Sequence, residues 1–70
     1  MSAEAAVAIK PALLRSKDAA TYLGVSVRTV ERLVGEGVLE RRYIGRRQYR
    51  VTVSSCDAYV ASLPAEAPHE

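Results

Sequence analysis

Seven arginines fall between residues 26 and 50, and five of them, Arg41, Arg42, Arg46, Arg47 and Arg50, share ten residues with two tyrosines and no acid. A guanidinium is planar, permanently charged and able to grip a phosphate or a base edge with two parallel hydrogen bonds. The next twenty residues reverse the sign, with Asp57, Glu66 and Glu70 and no Lys or Arg. A basic patch beside an acidic remainder is a footprint for a polyanion. The competing reading is a solvated hairpin whose arginines keep a sheet edge from aggregating. Other chemistries find no residues. Cys56 is the single cysteine, so neither an internal disulfide nor a cysteine-rich zinc site is available. His69, the sole histidine, is the penultimate residue and leaves no internal base for a nucleophile. No enzymatic activity, metal, cofactor or small-molecule ligand is therefore expected.

The whole chain bounds the elements that can carry that patch. Seventy residues make one small domain, and the apolar share of 49% includes eleven Ala and four Tyr with no Phe or Trp. A chain of this size buries only about 60% of its unfolded surface, which leaves stability marginal. Formal charge is only +2 overall, yet residues 10–63 carry ten cationic and five acidic side chains, or +5. No apolar run approaches the roughly 20 residues of a membrane span. The Ala/Val run from Ala5 to Ile9 lacks a preceding Lys or Arg and stops at Lys10-Pro11, a poor signal peptide. A soluble, reduced, cytoplasmic protein is expected, with no membrane partner.

Residues 1–12 are Ala-rich and closed by Pro11, and residues 64–70 hold two prolines, so both read as flexible tails around a domain at 13–63. Within it, Ser16 is placed to cap a first helix over Lys17–Leu23, and Gly24 suits the left-handed position that ends one. Ser26 then caps a second helix from Val27 to about Val34, with Val27, Val30, Leu33 and Val34 on one apolar stripe and Gly35 and Gly37 at its end. Past Val38-Leu39 the period changes. Arg41–Ile44 and Gln48–Val51 read as two strands around Gly45-Arg46-Arg47. A two-residue loop would place Gly45-Arg46 in a type II′ turn, whereas a three-residue loop would flip the faces of one strand, and the sequence leaves both registers open. Thr52 caps a last helix from Val53 to about Ser62, with Cys56, Tyr59, Val60 and Leu63 as its core face. The order α-α-β-β-α defines an α+β fold, a small winged helix-turn-helix of three short helices and a two-stranded β-hairpin wing.

That arrangement gives the charged residues tasks. Ala20 allows close helix crossing, Gly24 turns the chain, and Val30 and Leu33 lock the second helix on the first; a plain helical hairpin would need no such spacing. The exposed face of the second helix then carries Ser26, Arg28, Thr29, Glu31 and Arg32, and its N-terminal end is the part that enters a DNA major groove. Arg28 and Arg32, one turn apart, can reach guanine O6 and N7 or phosphates, and Glu31 can accept from cytosine N4. Ser26 and Thr29 suit phosphate contacts beside the helix N-terminus, and Lys17 at the start of the first helix suits another. Arg46 and Arg47 at the hairpin tip are placed for a narrow minor groove. Arg41, Arg42 and Arg50 are weaker candidates, while Tyr43 and Tyr49 are expected to anchor the wing by packing. Two strands give no broad aromatic platform for single-stranded nucleic acid or RNA. Tyr22 is expected to pack or lie near the DNA backbone, Cys56 to fill the core, and Asp57 to sit in the first helical turn beside the positive dipole end.

Asp18-Ala19-Ala20-Thr21-Tyr22-Leu23-Gly24-Val25-Ser26, followed by Arg28-Thr29-Val30 and Arg32-Leu33, resembles the excisionase-type DNA-binding domains, small winged-helix relatives of MerR-like regulators. Tyr43-Ile44-Gly45-Arg46-Arg47 is similar to their wing and Asp57-Ala58-Tyr59-Val60 to their closing helix. Many members carry a proline before that helix where this chain has Thr52-Val53. The resemblance implies a phage or mobile-element excisionase, a recombination directionality factor that performs no chemistry. Such a protein binds repeated sites on double-stranded DNA beside an attachment site, self-associates cooperatively along it, bends it, and helps an integrase assemble an excisive complex. A small transcriptional regulator of a phage or plasmid operon is the alternative, since such regulators share these motifs. MerR-like regulators add a long dimerisation helix, whereas this sequence ends seven residues after Leu63, which favours the excisionase expectation.

Overall fold

The computed structural model describes residues 11–67. The expected N-terminal tail, apart from Pro11 and Ala12, lies outside the described residues, as do Pro68, His69 and Glu70. The elements are β1 (Leu13–Leu14), α1 (Ser16–Leu23), α2 (Val27–Gly35), β2 (Arg41–Tyr43), β3 (Tyr49–Thr52) and α3 (Val53–Ser62). The three helices and the hairpin come in the expected order, and the fold is a small winged helix-turn-helix. One strand is added. The antiparallel sheet has order β1-β3-β2, with Leu13 opposite Thr52 and Leu14 opposite Val51.

That added strand changes how the first helix begins. Arg15, with φ −66° and ψ 159°, is the capping residue and makes no side-chain cap. Ser16 is already helical, and its hydroxyl donates to Tyr49 Oη at 3.5 Å instead of capping. Leu14 is committed to the sheet, so the strand-to-helix turn falls at Arg15, one residue before the polar side chain that local preference would select. The Ala12 carbonyl accepts from the Val53 N–H at 2.9 Å, tying the approach to β1 to the start of α3.

Both helices of the helix-turn-helix end in the same way. Gly24 has φ 73°, with its N–H donating to the Thr21 carbonyl and the Val25 N–H to that of Ala20. Gly37 has φ 81°, with its N–H donating to Val34 and the Val38 N–H to Leu33. These are two Schellman motifs, which satisfy carbonyls that a helix end leaves unpaired. Gly35 is the last residue of α2, and Gly37 supplies the turn that follows it, as expected.

The core gathers Ala19, Ala20, Val30, Leu33, Val34, Leu39, Val51 and Cys56, with Leu14, Leu23, Val25, Tyr49 and Tyr59 packed around them. Ala19 and Ala20 are the small residues that let α2 seat on α1. Two expectations fail on burial. Val27, the first residue of α2, is 39% exposed. On α3, Cys56 is fully buried and Tyr59 half-buried, but Val60 and Leu63 are 52% and 50% exposed. α3 lies on the core through Val53, Cys56 and Tyr59 but not through its last turn, so the helical period predicts a face without showing where its partner stops. Burial raises the Cys56 thiol above its ordinary pKa, and the neighbouring Asp57 carboxylate adds to the shift.

Candidate nucleic-acid interface

The second helix is fixed at its start by its own sequence. Ser26, with φ −78° and ψ 158°, is the N-cap; its hydroxyl oxygen accepts from the Thr29 N–H at 3.1 Å. The Ser26 hydroxyl in turn donates to Thr29 Oγ1 at 3.0 Å. Both hydroxyls are thus held at the helix entrance, and the Thr29 hydroxyl hydrogen remains able to donate outward. No acidic residue stands in the first turn of α2, so its positive end is not neutralised locally. Arg28 and Glu31 are exposed and make no hydrogen bond or ion pair among the described residues. Val30, Leu33 and Val34 are buried on the opposite side. The helix is therefore clamped from below while its polar face is left open.

Arg32 is less open than Arg28. Its guanidinium lies 3.4 Å from the Glu36 carboxylate in an exposed i,i+4 pair, also close to the negative end of the helix. Such a pair contributes about 0.3–0.5 kcal/mol, so a phosphate can displace Glu36 at little cost. Lys17 is exposed in the first turn of α1.

The wing has a three-residue loop. Tyr43 pairs with Tyr49 and Arg42 with Arg50, and the Ile44 N–H donates to the Gln48 carbonyl at 2.9 Å, so Gly45, Arg46 and Arg47 are the loop. Gly45 does not adopt positive φ, which rules out the type II′ turn among the two registers left open. Arg46 and Arg47 are exposed at the tip and make no ion pair or hydrogen bond among the described residues.

The register also sorts the lower arginines by face. Hydrogen bonds at 40:52 and 44:48 make 43:49 a non-hydrogen-bonded pair, the kind that brings opposed side chains closest. Tyr43 and Tyr49 meet there edge to face at 5.9 Å, and Arg41 lies 5.8 Å from each ring centroid. Tyr49 packs on the core and Tyr43 stays 57% exposed, so one tyrosine anchors the wing and the other leans on it. Arg41 is thus a cation–π brace on that face of the hairpin. Arg42 and Arg50 lie on the other face; Arg42 pairs with Glu40 at 2.8 Å, and Arg50 donates to the Tyr49 carbonyl at 3.1 Å.

Two interactions lay beyond sequence reasoning. Tyr22 donates to the Asp57 carboxylate at 2.6 Å and ties the last turn of α1 to α3. Asp57 lies past the first turn of its helix, so this bond and not the helix dipole explains its place. Glu40, unassigned by pattern, joins the foot of the wing to α3. Its carboxylate accepts from Thr52 Oγ1 at 3.3 Å, and its backbone N–H donates to Ser55 Oγ at 3.0 Å. Thr52 itself caps α3 through the Ser55 N–H at 3.2 Å, as its position suggested.

Among the described residues no helix is long and apolar enough to cross a membrane, and no three His, Cys, Asp or Glu side chains gather as a metal site. A two-helix unit packed on the core by one face, with its second helix capped and open on the polar face and flanked by an arginine-tipped hairpin, defines the class of helix-turn-helix DNA-binding proteins. The family model for the helix-turn-helix domain matches residues 13–64, and the chain belongs to that family. Double-stranded DNA is the partner that membership implies, and such families are typically non-enzymatic. A search of curated proteins gives no match.

Proposed function

We propose that the protein is an excisionase, a recombination directionality factor that binds and bends attachment-site DNA for an integrase. The observation that carries the reading is the pairing of a capped, core-clamped α2 with an arginine wing whose tip is unengaged among the described residues. Such a pair offers two groove contacts from one small domain. In this reading Arg28, Glu31 and Arg32 meet base edges or phosphates in the major groove, while Ser26 and Thr29 position the helix N-terminus on the backbone. Lys17 adds a phosphate contact, and Arg46 and Arg47 enter the adjacent minor groove. Bending follows if both groups engage at once, since smooth bending by 40–90° costs on the order of 1–6 kcal/mol that the added interactions can offset. The resemblance of Asp18–Ser26, the wing and Asp57–Val60 to excisionase-type domains supports the choice of excisionase, and the matched family includes excisionase-like proteins. The partners are then DNA, a phage integrase and neighbouring copies of the protein on the DNA.

The test is an excision assay with paired attachment sites and a candidate cognate phage integrase. Excision that depends on the protein, with integration inhibited when it is added, is expected. Excision that proceeds equally without it, together with repression at a nearby operon promoter, assigns the protein instead to transcriptional regulation.

A further inference from the structure

Arg42 and Arg50 face each other directly across β2 and β3, with Cα atoms in a hydrogen-bonded pair of the ladder. Like charges directly opposite are destabilising in a sheet. Nothing in the core requires them, because Val51 and Tyr49 supply the packing face and both guanidiniums lie on the other side. The fold moderates the repulsion with one carboxylate. Glu40 holds Arg42 at 2.8 Å and is itself held by the Thr52 hydroxyl, while Arg42 remains 67% exposed. β2 is an edge strand with every residue exposed, which leaves Arg42 open to a large partner, while Arg50 is half-buried on the central strand beside it.

From this arrangement we infer that Arg42 and Arg50 form a phosphodiester-binding clamp behind the wing tip, and that Glu40 is its built-in competitor, occupying Arg42 when DNA is absent. The inference rests on the DNA-binding reading and extends the interface beyond the tip arginines. Arg42 and Arg46 are four positions apart, at most about 13 Å along the chain at about 3.3 Å per residue, with Tyr43 the one strand residue between them. A tip lodged in a minor groove about 6 Å wide therefore brings the pair back to the phosphates that wall it. Two guanidiniums side by side can share one phosphodiester, which removes the repulsion that the free protein carries. Glu40 then sets the strength of the contact: each DNA encounter must exchange an Arg42–carboxylate pair for an Arg42–phosphate pair.

The test is a two-by-two set: wild type, Glu40→Gln, Arg42→Ala and the double variant. Each is titrated with a fluorescent 25-base-pair mixed-sequence duplex over a range of salt, with thermal melting followed in parallel. Gln at position 40 retains an acceptor for Thr52 and removes only the charge. Glu40→Gln is expected to tighten binding several-fold with little change in the log Kd against log salt slope, whereas Arg42→Ala is expected to flatten that slope by about 0.9, one phosphate fewer. The same substitution in the Arg42→Ala background is expected to give little gain. Equal gains in both backgrounds would show general loss of negative charge and overturn the clamp. Replacing Arg42 by Gln repeats the cycle if the alanine variant melts early. Binding by none of the proteins at low salt overturns the DNA-binding reading and the clamp with it, whereas wild-type binding with equal gains overturns the clamp alone.

Discussion

α2 and the wing present arginines in opposite ways. α2 is capped at both ends, by Ser26 and by the Gly37 Schellman motif, and pressed on the core through Val30, Leu33 and Val34. Its outward side chains inherit a fixed position from buried ones. The wing has no such support beyond Tyr49, and from Arg41 to Gln48 every residue is exposed. What holds it is polar and local: the Arg41–tyrosine brace on one face and the Glu40–Arg42 pair on the other. A rigid helix suits discrimination between bases, where a misplaced donor loses its bond. A lightly held hairpin suits backbone and minor-groove contact, where charge matters more than placement.

The contrast can be broken at several points. Leu33→Ala, which empties a site 4% exposed, should cost about 2–5 kcal/mol, enough to unfold much of so small a domain. Ile44→Ala in the wing should stay within about 0.5 kcal/mol. Comparable drops in melting temperature for the two would contradict the division into supported and unsupported regions. Once a binding site has been selected from random duplexes, Arg28→Ala should weaken specific binding by about 1–3 kcal/mol and relax preference at one position. The paired change Arg46→Ala with Arg47→Ala should weaken all sequences alike and lower the salt slope by about 0.9 for each phosphate no longer neutralised. An unchanged slope would take the tip off the DNA. Ser26→Ala should cost about 1 kcal/mol by removing the cap. Gly24→Ala should cost about 1–2 kcal/mol from backbone conformation alone, because a methyl group there meets nothing within 4 Å. The smallest effect is alkaline. Because the folded-state pKa of Cys56 is raised, its contribution is intact below the ordinary thiol pKa and lost as pH rises through the folded value. A Cys56→Ser variant should flatten that part of a stability–pH curve, measured by urea unfolding.

The sequence was most legible where structure is decided within a few residues. Ser26 and Thr52 cap and Gly24 turns as their positions indicate, because a cap needs only a hydroxyl and an amide three residues on. Legibility falls where the partner is distant. Leu13-Leu14 is too short to show any period, and only pairing with Val51 and Thr52 makes it a strand. That pairing then displaced the expected cap from Ser16 to Arg15. Leu39, among the largest fully buried side chains, stands alone between a helix end and a strand, where no stripe marks it. Glu40 looked like a stray acid before the arginine run, yet Thr52 and Arg42 meet on it from separate segments. In the candidate interface, residue types named the open positions, Arg28, Glu31, Arg46 and Arg47. The engagement of Arg32, Arg41 and Arg42 depended on neighbours and register.

In the proposed complex α2 takes the major groove and the wing the minor groove of one duplex. Methylation interference on a selected site tests it in one gel, since dimethyl sulfate marks guanine N7 in the major groove and adenine N3 in the minor groove. Guanine methylation should block binding at the centre of the site, and adenine methylation at one flank. The flank signal should disappear in the Arg46→Ala, Arg47→Ala protein while the central one remains. Binding indifferent to guanine N7 methylation throughout a selected, guanine-containing site would contradict the assignment of α2.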